Sequence, residues 1–154
     1  MRKTLLALSL MLFGAAALAE VSVKDSWVRG TTPAQKATGA FMEITSTDNA
    51  ALLSAASPAA EVVEVHTMKM EDGVMKMRQI ERVELPAGKA VLFAPGGNHI
   101  MMMGLKQQLK KGDVVPLTLK IEGQDKQVRT LEIKAEVRDL TAPAMPGHED
   151  KHHH

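Results

Sequence analysis

The sequence predicts an all-β protein, an antiparallel Greek-key β-sandwich with an N-terminal leader and a C-terminal tail. Three observations carry that expectation. Apolar residues between Glu20 and Asp139 recur mostly with period two, few stretches hold a helical period, and clusters rich in Gly, Pro, Asn and Asp cut the alternation into short segments. Seven or more short strands with turns at this spacing pack as two facing sheets.

The ends of the chain differ from its middle. Arg2 and Lys3 precede an apolar run from Leu5 to Ala17, and Ala17-Leu18-Ala19 has the form of a signal-peptide cleavage site. The run falls short of the ~20 apolar residues that cross a bilayer. A cleaved leader over 1–19 is expected, with no membrane insertion. The chain holds no cysteine, so neither a lipid-anchored lipoprotein nor disulfide staples are expected, and apolar packing must hold the fold. The folded domain is expected over 20–139, a size that supports its own core. Residues 140–154 pass through Met145 and Pro146 to His148, Glu149, Asp150 and His152, His153 and His154, a composition that reads as a disordered tail. The 19 basic and 18 acidic residues nearly cancel, which points to neither nucleic acid nor a polybasic membrane surface.

Taken in order, Val21 to Arg29 alternates and carries the only tryptophan, Trp27, expected in the core. Gly30 to Gln35, with Pro33, turns the chain into a second strand, Thr38 to Ser46, which Thr47-Asp48-Asn49 ends. Ala50 to Ala60 is alanine-rich and broken by Pro58; its pattern fits a strand, a short helical turn or both. Glu61 to Met70 and Val74 to Ile80 form an expected hairpin closed by Asp72-Gly73, whose residues accept positive φ. Val83 to Leu85 stops at Pro86-Ala87-Gly88, and the apolar Lys89 to Phe93 runs into Pro95-Gly96-Gly97-Asn98. His99 to Leu105 is the next strand, and Lys110-Lys111-Gly112-Asp113 the next turn. Val114 to Glu122 and Gln127 to Val137 then close a last hairpin about Gly123-Gln124-Asp125.

Outside the last seven residues His66 and His99 are the only histidines, and each lies among methionines: Met68, Met70, Met75 and Met77 follow the first, Met101, Met102 and Met103 the second. Imidazole and thioether without thiolate make a soft, neutral ligand set, which suits copper and Cu(I) in particular. Residues two apart share a strand face, so His99, Met101 and Met103 point one way. If Asp72-Gly73 closes a two-residue loop, Met70 faces Met75, Met68 faces Met77, and His66 lies diagonal to Met77, ~5–8 Å away at the backbone. Methionine is also a common core filler. On that ground Met68, Met70, Met75, Met102 and Met103 are as readily packing as chemistry.

The spacing His66, ten residues, Met77, twenty-one residues, His99, one residue, Met101 resembles the signature of the PCu(A)C periplasmic copper chaperones. So do Glu64-Val65-His66, Met75-Lys76-Met77-Arg78, the run from Pro95 to Leu105, and Gly112-Asp113, and the likeness extends over roughly Glu20 to Val137. The resemblance implies a cupredoxin-like sandwich in the periplasm, with Cu(I) bound by His66, Met77, His99 and Met101. It also implies the recipient: the CuA subunit of cytochrome c oxidase, directly or through a Sco-type assembly factor. Glu64 and Asn98 are candidates to orient the histidines, although turn and surface roles are the more ordinary ones for both. A monomer is expected.

Two imidazoles and two thioethers leave a Cu(I) site with a net charge of +1, and a partner offering thiolates draws the ion downhill. On the tail, His148, His152, His153 and His154 with Glu149 and Asp150 are nitrogen and oxygen donors suited to Cu(II). A second copper, Cu(II), is expected there, to be reduced and passed to the methionine site; the alternative is an idle polar tail or the remnant of a tag. The competing readings are fewer. A storage or resistance protein that sequesters copper would use the same four ligands. A blue-copper electron carrier needs a cysteine that is absent. No nucleophile-elbow, paired-carboxylate or H-E-x-x-H pattern occurs, and four protein ligands leave no open metal position, so an enzyme is not expected. A purely structural sandwich would bind no copper.

Overall fold

The computed structural model describes residues 20–139; the expected leader over 1–19 and the tail over 140–154 lie outside them. Ten strands follow in order: β1 (Val21–Arg29), β2 (Ala37–Ser46), β3 (Ala50–Ala56), β4 (Ala60–Glu71), β5 (Val74–Gln79), β6 (Val83–Leu85), β7 (Ala90–Phe93), β8 (His99–Leu105), β9 (Val114–Glu122) and β10 (Val128–Arg138). Their hydrogen-bonded path runs β5-β4-β8-β2-β1-β10-β9-β3-β6, and β7 pairs with β2. Among the described residues no helix is long and apolar enough to cross a membrane.

The path bends round one apolar core. Met42, Ile44, Val65, Ile100 and Met102 face it from β2, β4 and β8, and Leu52, Leu85, Leu117, Leu119 and Ile121 face it from β3, β6 and β9. Strand alternation explains the division: in β9, Val115, Leu117, Leu119 and Ile121 are buried while the residues between them are not. Burial of such side chains contributes about 1.5–3 kcal/mol each.

One feature departs from the sequence expectation. β1 pairs with β10 in parallel, Trp27 opposite Glu136 and Val28 opposite Val137, within an otherwise antiparallel arrangement. The first and last strands meet with no local connection, so neither one's sequence marks the direction of that pairing. Trp27 is buried as expected, at 4% exposure, and packs against Phe41. A bulge between Lys24 and Trp27, with Asp25 at φ 50°, shifts the register of β1 against β2. The inserted residue keeps Val28 facing the core, opposite Ala40, and turns Trp27 to the outer face, opposite Phe41. The ambiguous stretch resolves as strand: β3 ends at Ala56, and the chain turns through Ser57 and Pro58 before β4. Pro58 has no N–H to give a ladder, and the Ser57 hydroxyl ties the turn down by donating to Pro116 O at 2.7 Å.

Candidate metal centre

Three pairings assemble the site on the face of the β2/β4/β8 layer that looks away from the core. β4 pairs with β8 so that His66 stands directly opposite His99 and Glu64 opposite Met101. β4 pairs with β5 so that Met68 faces Met77, Met70 faces Met75 and His66 faces Gln79, leaving His66 diagonal to Met77. β2 pairs with β8 so that Gly39 lies opposite Met101. The intervening residues Val65, Ile100, Met102 and Ala40 point the other way, into the core. The hairpin register is the one the sequence predicts. Asp72 at φ 51° and Gly73 at φ 77° form the two-residue turn that sets it.

The two imidazoles lie with ring centroids 5.8 Å apart, and each has one ring nitrogen held by a hydrogen bond. Nδ1 of His99 is 3.0 Å from Gly97 O. A carbonyl only accepts, so Nδ1 carries the proton and Nε2 keeps the lone pair. His66 is held in the opposite sense. Its Nε2–H donates to Oε2 of Glu64 at 2.7 Å, which leaves the lone pair on Nδ1. That Nδ1 is buried and has no hydrogen-bond partner. A buried polar atom left unpaired costs about 1–3 kcal/mol, and a metal ion bound to its lone pair would remove that penalty. The donor set therefore fits a soft cation: two oriented lone pairs, with thioethers on the same face.

A groove of about 310 Å³ runs beside the imidazoles, and Met68, Met77, His99 and Met101 line it with Gly39, Phe41 and Arg29. Three of the four expected ligands thus meet there. His66 is not among the lining residues and adjoins the groove through its contact with His99. Met77 is 46% exposed on the edge strand β5. Met68, its cross-strand partner, is more enclosed and shares the groove. Met102 is fully buried in the core, whereas Met103 is partly exposed on the outer face. Among the described residues no group of three or more His, Cys, Asp or Glu converges in a metal-binding arrangement. Beside His99 the groove is lined by the thioethers of Met68, Met77 and Met101, with Gln35 and Thr38 as its neutral oxygen-bearing side chains.

Other residues shape the site. Phe41 sits beside His99, centroids 6.4 Å apart, and is backed by Trp27 at 4.6 Å. Gly39 makes room for that ring, since a Cβ there would fall 2.8 Å from Phe41 Cζ. The Arg29 guanidinium stands 5.7 Å over the same ring, a cation–π contact. A glycine inside a strand pattern is a cue to such close approach, and Gly39 carried it. Of the two candidate orienting residues Glu64 holds a histidine; the partner of the other is the Gly97 carbonyl, not Asn98. On the opposite face of the hairpin Arg78 binds Glu71 at 2.7 Å with Lys76 at 3.6 Å. The hydrogen bond from Arg78 holds the Glu71 carboxyl below its ordinary range.

Residues 21–137 match the family described as "Putative lipoprotein LpqE-like". The "Putative lipoprotein Lxx21020" of Leifsonia xyli subsp. xyli (strain CTCB07) is 32% identical over 101 residues, 65% of this chain and 61% of that protein. The chain thus spans about three fifths of that relative's length. Among solved structures, the Cu(I) form of DR1885 from Deinococcus radiodurans is 33% identical, with 82% of this chain and 83% of that chain covered and a TM-score of 0.60. Its apo form is 28% identical, covering 90% and 95%, with a TM-score of 0.59. A copper-bound PCuAC domain from PmoF2 superposes with a TM-score of 0.63 over 80% of this chain and 97% of that one, at 18% identity, a likeness of fold. The chain belongs to the LpqE-like family and has the all-β, cupredoxin-like fold of the PCuAC domains.

Proposed function

We propose that this chain is an exported copper chaperone that carries one Cu(I) as cargo, bound by His66 Nδ1, His99 Nε2 and the thioethers of Met77 and Met101. The observation that carries the reading is the buried, unpartnered Nδ1 of His66 beside His99, on a face supplied with methionine. The copper-bound state of two structural neighbours, DR1885 and the PmoF2 domain, supports it. Glu64 and the Gly97 carbonyl hold the imidazoles in the tautomers that ligation requires. Phe41 and Trp27 make the rear of the site apolar, which favours a monovalent ion with soft, neutral ligands over a strongly hydrated one.

Delivery rather than storage is favoured by the placement of Met77, exposed on an edge strand. A thiolate from an acceptor can replace that ligand first, and each further exchange of a thioether for a thiolate runs downhill. Assembly of the CuA centre of cytochrome c oxidase, directly or through a Sco-type factor, is the acceptor pathway we favour. Secretion by a leader cleaved after Ala19 would place the monomeric 20–139 domain in the periplasm. His148, His152, His153 and His154 of the tail would take up Cu(II) ahead of its reduction, and truncation after Thr141 should lower Cu(II) stoichiometry alone.

The test is an anaerobic Cu(I) titration of the protein against a competing chromophoric chelator. One tight equivalent is expected, lost in the His99→Ala, Met101→Ala double variant. Equal affinity in the two proteins would remove the assignment. A stopped-flow transfer to a dithiol acceptor separates delivery from sequestration, since a storage protein would retain its copper.

A further inference from the structure

The structure divides the methionines, and three of those on the hairpin, Met68, Met70 and Met75, are not accounted for by core packing or by the four-ligand site. Met68 faces Met77 and Met70 faces Met75 along the β4–β5 hairpin, on the same face as His66. Met70 is 60% exposed, Met75 44% and Met77 46%. Apolar side chains displayed to this extent gain little from burial, yet here they stand in consecutive cross-strand pairs.

The pairs are also the close ones. Ile80 N–H donates to Val65 O at 2.9 Å, so the odd-numbered residues of β4 direct their backbone groups toward β5. Met68–Met77 and Met70–Met75 therefore occupy non-hydrogen-bonded positions, where Cα atoms approach to about 4.5 Å and side chains lie nearer than at the alternate pairs. The turn at Asp72-Gly73 fixes this register, and the Arg78–Glu71–Lys76 ion pairs bridge the two strands on the reverse face. The result is a ladder of four thioethers leading from the hairpin tip to the groove that Met68, Met77, His99 and Met101 line.

We propose that Met70 and Met75, backed by Met68 and Met77, form a second, thioether-only binding site for a soft monovalent cation at the hairpin tip, from which Cu(I) is passed to the histidine pair. The inference rests on the reading of the His66–His99 site as the copper site. A thioether-only site is weaker than one with two imidazoles, so an ion that lands at the tip moves inward by exchanging one sulfur for the next. No electron or proton changes hands in these steps: each forms one Cu–S or Cu–N bond and releases one Cu–S bond. Exposure at the tip and enclosure at the groove give the path a direction.

The experiment uses the full chain with its methionine methyl groups labelled with carbon-13, titrated with Ag(I), a redox-inert probe of the same soft character. The methyl resonances of Met77 and Met101 should move with the first equivalent, and those of Met70 and Met75 with the second. In the Met70→Leu, Met75→Leu variant, read at the remaining methionine methyl groups and by the number of Ag(I) equivalents bound, the first event should persist and the second equivalent should no longer bind. Leucine keeps the apolar area but not the sulfur, so a second equivalent that still binds in this variant is held elsewhere and overturns the site. Loading of Cu(I) from a chelator complex should slow in the same variant while its final affinity stays that of the parent. Unmoved Met70 and Met75 resonances, or unaltered loading, overturn the second site and leave the first intact. Unmoved Met77 and Met101 resonances overturn the primary reading as well. Met70→Leu alone, which leaves three thioethers, should weaken the second event without changing the fold.

Discussion

Replacing Glu64 by leucine should weaken Cu(I) binding while leaving the fold in place. The Glu64 carboxylate accepts from His66 Nε2–H at 2.7 Å, with the His66 and Glu64 side chains 12% and 29% exposed. That bond holds the proton on Nε2 and leaves Nδ1, the buried atom, free to ligate. Without it the ring is free to carry its proton on Nδ1, and must shift that proton or flip before it can bind metal. A hydrogen bond to a charged acceptor contributes about 1.5–3 kcal/mol, and partial exposure places this one toward the lower end. At about 1.4 kcal/mol per tenfold the loss is roughly tenfold, rising toward a hundredfold if the ring reorients. Glu64→Gln, which retains an accepting oxygen without the charge, should fall between. The assay is anaerobic competition with a chromophoric Cu(I) chelator, with an amide fingerprint spectrum to verify the fold. A folded Glu64→Leu protein that binds Cu(I) as tightly as its parent would refute the tautomer argument.

Three further outcomes follow from the geometry. Met102→Ala removes a fully buried core side chain and should destabilise the fold by about 2–5 kcal/mol, whereas Met101→Ala should change the thermal midpoint little and abolish tight Cu(I) binding; unfolding scans and titrations of both check the contrast. Gly39→Ala would place a Cβ 2.8 Å from Phe41 Cζ. The ring must shift, at about 1–3 kcal/mol for overpacking, and the ring-proton resonances of His99, 6.4 Å away, should move with it. Glu71 has a carboxyl lowered from its ordinary value of 4.5 by the Arg78 hydrogen bond. Its contribution to hairpin stability is therefore full above 4.5 and is lost as pH falls through the lower, folded value. Methyl relaxation of Met70 and Met75 should report a looser hairpin in that acid window, and Glu71→Gln should remove the pH dependence.

How far the sequence could be read depended on whether the relevant pairing was local. The hairpin from Ala60 to Gln79 was legible down to its register, because Asp72-Gly73 closes it and two-residue periodicity carries that register outward. The shared direction of His99 and Met101 was legible for the same reason. The fate of individual methionines was not: Met102 and Met101 are adjacent and chemically identical, and only the side of the sheet separates a core residue from a candidate ligand. Trp27 is buried as expected, but its packing against Phe41 beside the site depends on the bulge after Lys24, which no local pattern marks. Pro58 marked the break in the alanine-rich stretch without saying what preceded it.

The amino-acid order by itself determined the strands, the turns and the soft character of the donor set, since propensity, periodicity and the absence of cysteine are properties of neighbours or of composition. Only the tertiary structure decided that His66 stands opposite His99, that β1 runs parallel to β10, and that Glu64, Phe41 and Gly39 surround the site. Those arrangements come from strands distant in the chain pairing round a common core. The register between them is chosen by which apolar faces can be buried together, and no local segment encodes that choice.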